Sequence, residues 1–290
     1  MSKLTKAALF ARSRDFRAAK FRQWAWPIFR NLYPNIDCVG VRGNDGQTTL
    51  LFSDDKFITM DFIKFGANVG APMNSALSVL RSLQAPLNGC FFEIGANIGT
   101  ETIGALALGP FGRAIVIEPE PRNVSLLRAN LALRGLSDRT KIFQVGAAHK
   151  AGTANLTLSI DNRGDHRISN DASFVTTTID LKTADEILEE AGERPEDVSL
   201  VWVDTQGYEG FVLAGAQKLM DAHVPFIIEF TPDSMRAVGC YDLAIDAISG
   251  RFQGFYDLSA KHPEMKHPSE INAVSQRLSG TGGYVDLLLV

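Results

Sequence analysis

Residues 91–102 read FFEIGANIGTET: a short apolar run, one acid at Glu93, and a turn bracketed by Gly95 and Gly99. An apolar strand that ends in a glycine turn and opens straight into a helix is how nucleoside-binding α/β folds begin. The neighbouring segments extend the pattern. Residues 90–94 read as a buried strand, and 100–108 as a helix stopped by Gly109-Pro110. Then 114–117, 122–134 and 141–147 read as strand, helix and strand. This alternation predicts a parallel sheet with right-handed crossovers. Further on, 154–160 alternates like a hairpin strand and 161–173 is a polar loop. The spacing predicts a helix over 184–191, a strand over 198–203, a helix over 210–222 and a strand over 225–230. Two late strands, around 252–258 and 284–290, close the chain.

A second stretch nearly repeats the first. Residues 65–70 read FGANVG, where 94–99 read IGANIG. The position equivalent to Glu93 is Lys64, and Pro72 biases Ala71 away from helix. No regular strand–helix–strand unit with a well-placed acid follows. The first copy is therefore read as a turn before a helix over 74–83, and the second as the ligand loop. Ahead of both, 36–64 looks like short strands with turns: 39–41, Gly43-Asn44-Asp45-Gly46, 50–52, and a further strand over 57–65.

Composition bounds the function. The chain has 290 residues, 45% hydrophobic and 21% charged, which is ample for a sizeable core. A formal net charge of −4 gives no electrostatic case for nucleic acid. No run has the length of a membrane span. Three widely spaced cysteines (Cys38, Cys90, Cys240) without a C-x-x-C fit a reducing compartment and argue against structural zinc. With no secretory signal pattern at the start, the expectation is a cytoplasmic protein. Residues 1–30 differ from the rest: eight Lys/Arg, one acid, and interleaved Phe and Trp. Three readings stay open, one of them an organelle transit peptide, which the composition also resembles. The arm packs on its own domain or on a partner in a homodimer, or it lies peripherally on an anionic membrane.

The ligand loop also constrains the nucleoside. A dinucleotide fingerprint needs a glycine where this chain has Asn97, because pyrophosphate approaches the backbone there. Glu118 ends the next strand, nineteen residues after Gly99, the spacing of a carboxylate that reaches ribose hydroxyls. Without a phosphate cradle, the pattern favours a nucleoside such as S-adenosylmethionine over a nicotinamide dinucleotide.

With these motifs in hand, the sequence resembles the FkbM-type S-adenosylmethionine-dependent methyltransferases over roughly residues 75–290. The resemblance rests on FFEIGANIGTET at 91–102, IEPEP at 117–121, VGAA at 145–148 and TTTID at 176–180. It continues in VDTQGYEGFVLAGA at 203–216 and IIEF at 227–230. It implies an α/β, Rossmann-like class I methyltransferase. Its sheet would be mostly parallel and seven-stranded, with an antiparallel last strand. Residues 86–290 would form that domain, and 1–85 a mainly helical N-terminal extension that covers the site, shapes the acceptor pocket or makes a dimer. The resemblance implies O-methylation, commonly of a saccharide hydroxyl. Gln206 stands where the family often has Glu, while Asp204 and Glu209 keep their places.

Roles follow from position. Glu118 is expected on the ribose diol. Glu93 orders the glycine turn and faces the aminoacyl end of the cofactor. Gly95 and Gly99 set the backbone path, Asn97 caps the helix or bonds the cofactor, and Gly146 and Ala147 border the adenine. Methyl transfer to a hydroxyl needs alignment and a proton acceptor or a metal. Asp204 has three readings: orienting the acceptor, acting as base, or binding a divalent metal with Glu229. Glu209 fits a catalytic acid or a first-turn acid favoured by the helix dipole. His166, in the polar loop DNRGDHR at 161–167, is the candidate base, since histidine changes charge near neutral pH. Arg163 and Arg167 are candidates for an acidic acceptor. Two rivals remain: a nicotinamide oxidoreductase, and a non-catalytic scaffold that keeps the fold, for which Gln206 leaves room.

Overall fold

The computed structural model describes residues 25–28, 31–33, 35–66, 70–159, 162–168 and 175–290. Most of the basic arm (1–24), the centre of FGANVG (67–69) and Asp161 lie outside the described residues. The chain forms two compact units, Met1–Val69 with Ser159–Gly164, and Gly70–Leu158 with Asp165–Val290. The division falls at 69/70, earlier than the expected 85/86. Among the described residues, no helix is long and apolar enough to cross a membrane.

In the first unit, β1 (Cys38–Arg42) and β2 (Thr48–Phe52) form an antiparallel hairpin around the Gly43–Gly46 turn. The segment read as a strand over 57–65 is instead helix α1 (Ile58–Phe65). The cause is Asp55. Its buried carboxylate accepts the amides of Phe57 (2.9 Å) and Thr59 (3.0 Å), satisfying donors of the first turn. Thr59 Oγ1 donates to Phe52 O at 2.7 Å, tying the helix to β2. Arg163, read as an acceptor-binding cation, belongs to this unit. It pairs with Asp54 at 2.5 Å and covers the Phe52 ring.

The second unit opens with α2 (Ala71–Ser82). The reading that Pro72 keeps a helix from starting at Gly70 does not hold. Gly70 is the N-cap, and Pro72 sits in the first turn, where its missing N–H has no helical partner anyway. Then follow β3 (Cys90–Ile94), α3 (Thr100–Ala107), β4 (Arg113–Ile117), α4 (Pro121–Leu133) and β5 (Thr140–Phe143). The third expected strand splits, because β6 (Gly146–Ala147) leaves the main sheet. It joins β7 (Gly152–Thr157), β8 (Arg167–Ile168) and β9 (Thr176–Lys182) in a small sheet of order β6-β9-β7-β8. The chain returns through α5 (Ala184–Glu190), β10 (Val198–Val203), α6 (Glu209–Ala214), α7 (Gln217–Asp221), β11 (Phe226–Phe230), α8 (Pro232–Val238) and α9 (Tyr241–Arg251). It ends with β12 (Phe255–Asp257), β13 (Met265–Lys266), α10 (Ile271–Leu278) and β14 (Val285–Leu289).

The main sheet has the order β13-β12-β14-β11-β10-β3-β4-β5. The strands β5, β4, β3, β10 and β11 are parallel, and β14 runs antiparallel to both β11 and β12. The expected seven strands are thus present in a Rossmann-like arrangement, with the two-residue β13 added at one edge. All residues of β3 and β10 are buried, because helices cover both faces. Phe91, Val116, Leu200 and Trp202 pack towards α2, α3 and α4, while Phe92, Ile117, Val201 and Val203 pack towards α5, α6, α7 and α9. The strand order reverses between β3 and β10. Their carboxyl ends border the crevice where ligands sit in such sheets.

The helix predicted over 210–222 is two short helices, α6 and α7. The break lies where Gly215 passes over the backbone of Ala148: a Cβ there would be 2.1 Å from Ala148 O. Gly215→Ala is therefore expected to lower stability by about 1–3 kcal/mol. Gly250→Ala, where a Cβ meets nothing within 4 Å, should be neutral or raise stability by up to about 1 kcal/mol. Urea midpoints of the two variants check the contrast.

Candidate active site

The crevice is floored by the turn after β3. Gly95 has φ +91° and its amide donates to Ile117 O at 2.9 Å. The Ala96 amide shares that acceptor at 3.0 Å, and the Gly99 amide donates to Ala96 O at 2.8 Å. Asn97 is also left-handed (φ +51°), a region asparagine tolerates better than most residues, and its amide donates to Glu118 Oε2 at 2.8 Å. Gly99 (φ +87°) starts α3, and a Cβ there would lie 2.4 Å from Leu127 Cδ1. Four amides of the turn are thus taken up internally, one of them by a carboxylate. Asn97 Oδ1 is buried and has no hydrogen-bond partner among the described residues.

Glu118 follows β4 and is 5% exposed. Its Oε1 accepts from the Glu120 amide (2.9 Å) and from Asn123 Nδ2 (3.4 Å). Burial pushes its pKa up to about 7 against the pull of these hydrogen bonds. An ionised carboxylate has about four acceptor positions, so one remains after the three bonds from Asn97, Glu120 and Asn123. Glu93 lies one residue inside the end of β3 and is 2% exposed. It accepts the Thr102 hydroxyl, which joins β3 to α3, and burial holds its pKa well above the usual carboxylate range. Gly146 and Ala147 pair with Leu181 and Lys182 in the small sheet. A Cβ at Gly146 would meet Leu181 and Ile179, so packing accounts for that glycine.

A second group of side chains gathers where β10 and β11 end. Asp204 directly follows β10, Glu209 begins α6, and Glu229 lies in β11. One carboxylate oxygen from each lies within 4.8 Å of the other two. Gln206, left-handed at φ +56°, bridges two of them: its Nε2 donates to Asp204 Oδ1 (2.6 Å) and to Glu229 Oε2 (3.2 Å). Glu209 is fully buried. Its Oε1 accepts from Thr205 N (2.8 Å), Thr205 Oγ1 (3.0 Å) and Gly207 N (3.2 Å), while Oε2 has no partner among the described residues.

Burial and like charge act together here. Loss of hydration raises Asp204 to about 6 and Glu209 to about 7. Glu229 rises to about 10, first through desolvation and then through the charges of Asp204 and Glu209. Two acids that the sequence reading passed over belong to the same group. Asp286 lies opposite Glu229 across the β11–β14 pair, and Glu101 stands in the first turn of α3. Both rise to about 7. A signal for Asp286 was present, since it is an acid inside an otherwise apolar strand, as Glu93 and Glu229 are.

Asp165 and Arg167 reach this group as well. The charge of Asp165 raises Asp204, and that of Arg167 lowers Glu229. Arg167 pairs with Asp165 at 2.6 Å and donates to Ser234 Oγ at 3.3 Å. His166 lies half-buried between them.

The family described as "Methyltransferase FkbM domain" matches residues 93–265 of the chain. The 2-O-methyltransferase NoeI of Sinorhizobium fredii (strain NBRC 101917 / NGR234) is 25% identical over 176 residues, covering 54% of this chain and 70% of that protein. The crystal structure of methyltransferase FkbM from Methylobacillus flagellatus KT aligns with a TM-score of 0.45 at 16% identity. That alignment covers 81% of this chain and spans 55% of the Methylobacillus chain.

The raised carboxylates make stability depend on pH. Glu118 titrates near 7 when folded and near 4.5 when unfolded, so the folded state holds the extra proton between those values. Its contribution is largest below the unfolded value and is lost as pH rises through 7. The ligand-free protein should gain thermal stability as pH falls from 8 to about 5.5. Glu118→Gln should flatten that slope, whatever its effect on the baseline. An unchanged slope in melting curves across this pH series would contradict the assignment.

Proposed function

The chain belongs to the FkbM methyltransferase family, and we propose that it transfers a methyl group from S-adenosylmethionine to a hydroxyl oxygen of a saccharide-type acceptor. The observation that carries the cofactor is the state of the turn after β3. Phosphate binding at such a turn needs free N–H groups. Here the amides of Gly95, Ala96, Asn97 and Gly99 already have acceptors, and Glu118 adds negative charge. That supports a nucleoside without phosphates and speaks against a nicotinamide dinucleotide.

The residues present fit the proposed group. Glu118 keeps one acceptor position for ribose hydroxyls, and Asn97 Oδ1 is a buried acceptor that lacks a donor among the described residues. Leaving such an atom unsatisfied costs about 1–3 kcal/mol. Gly146 and Ala147 would border the base, and Glu93 would act through α3 on the turn. The cofactor supplies an electrophilic methyl group. The protein's part is to align the acceptor oxygen with it and to remove the hydroxyl proton. Asp204 would hold the acceptor at the end of β10, with buried Glu209 bracing the Thr205–Gly207 turn beneath it and His166 as the proton acceptor. The named 2-O-methyltransferase relative supports oxygen as the methylated atom. The saccharide class rests on the sequence resemblance.

Calorimetric titration tests the cofactor assignment. S-adenosylmethionine and S-adenosylhomocysteine should bind, and NAD should not. Glu118→Ala should weaken binding by about 1–3 kcal/mol, roughly fivefold to 150-fold in Kd. NAD binding in place of the first two would overturn the proposal. His166→Ala should lower kcat while leaving cofactor affinity intact, and full turnover in that variant would remove His166 as the base.

A further inference from the structure

The acids at the ends of β10 and β11 do more than crowd one another. Oxygens bound to one cation at about 2.1–2.5 Å lie roughly 3–5 Å apart. The three carboxylate oxygens of Asp204, Glu209 and Glu229 fall within 4.8 Å of each other. Among the described residues, no Lys or Arg is in ion-pair contact with any of the three. Asp286 and Glu101 add further negative charge beside them.

Glu209 supplies an independent observation. It is fully buried on the first turn of α6, and its Oε1 is fixed by three donors from Thr205 and Gly207. Those bonds orient the carboxylate as outer-shell partners orient a metal ligand. They leave Oε2 as the oxygen it has to offer the cluster, and that oxygen has no hydrogen-bond partner among the described residues. Such an atom, shut off from water, calls for a cation or a donor that the polypeptide does not provide.

Gln206 completes the set. Its Nε2 sits between Asp204 and Glu229 and gives both a neutral donor. Turning the amide over places Oε1 in that position, and an amide oxygen is a normal ligand for hard cations. The donor set is then all oxygen, with no thiolate or imidazole, which selects the magnesium, manganese or calcium class over zinc.

We infer that Asp204, Glu209 and Glu229, with the side-chain oxygen of Gln206, form a binding site for one divalent cation of the magnesium–manganese class. On the methyl-transfer reading, such a cation would seat the acceptor hydroxyl and make its proton easier to remove. The binding itself does not depend on that reading.

The test uses the full chain, stripped with EDTA and free of cofactor and acceptor, with Mn2+ followed by electron paramagnetic resonance. One Mn2+ per chain is expected, displaceable by Mg2+. Glu229→Gln and Glu209→Gln should each weaken it by about tenfold or more. Gln206→Glu adds a fourth carboxylate and should tighten Mn2+ binding, a gain that misfolding does not produce. Absence of stoichiometric Mn2+ binding would overturn the inference, as would equal affinity across the wild type, Glu229→Gln and Gln206→Glu in chains with native circular dichroism. Titrating the same samples with S-adenosylmethionine reads the cofactor proposal separately, so either can fail alone.

Discussion

At Gly95 the turn after β3 lies against the backbone that follows β10, so closely that a Cβ would sit 1.8 Å from Asp204 O. The Asp204 amide returns the contact by donating to Ile94 O at 3.0 Å. Only glycine fits there, because the position needs both φ +91° and the missing side chain. The site is organised around this point. The turn after β3 and the acid cluster grow from adjacent strands and touch through their backbones, so neither can shift without the other. Any bulk at 95 would push Asp204 out of register with Glu229 and would also move Asn97 away from Glu118.

The same topology forces the electrostatics. Parallel neighbours present their carboxyl ends on one side, so acids that close β3, β4, β10 and β11 converge. Burying a carboxylate without donors is costly. The structure meets that cost unevenly. Glu118 and Glu209 each receive three hydrogen bonds, and Glu93 receives the Thr102 hydroxyl. Among the described residues, Asp204 and Glu229 share a single bridging amide from Gln206. Donors are scarcest where the like charges are closest, and there Glu229 is pushed furthest, to about 10. A neutral side chain at Glu229 would remove part of this repulsion, so the charge crowding is a cost to folding and not a gain.

Much of this was legible in the chain because buried parallel strands write themselves as apolar runs. The strands β3, β4, β10, β11 and β14 were all expected close to their observed bounds, while the antiparallel direction of β14 was implied by the family resemblance. Glu93, Glu118, Asp204 and Glu229 stood out as acids at or near the ends of such runs. The misses share one cause, which is side chains that act at a distance in sequence or against local propensity. A strand was expected at 57–65, but Asp55 accepts the amides of Phe57 and Thr59 and a helix forms. The strand expected over 141–147 divides, because Gly146 packs under Leu181 and Ile179, far along the chain. Asp286 joins the site through strand pairing with Glu229, which no local window displays.

The two G-A-N turns show where local resemblance stops carrying information. Each contains a left-handed glycine, and each is followed at once by a helix, so neither feature separates them. Gly66 spends its conformation on ending α1, with its amide donating to Phe62 O at 2.8 Å. In the second copy, Gly95 and Ala96 donate to Ile117 O, and Asn97 donates to the carboxylate of Glu118 on the same strand end. The difference lies in the next strand. A turn becomes a candidate site when a parallel neighbour brings an acceptor to it, and β4, with Glu118 one residue beyond it, does that for IGANIG.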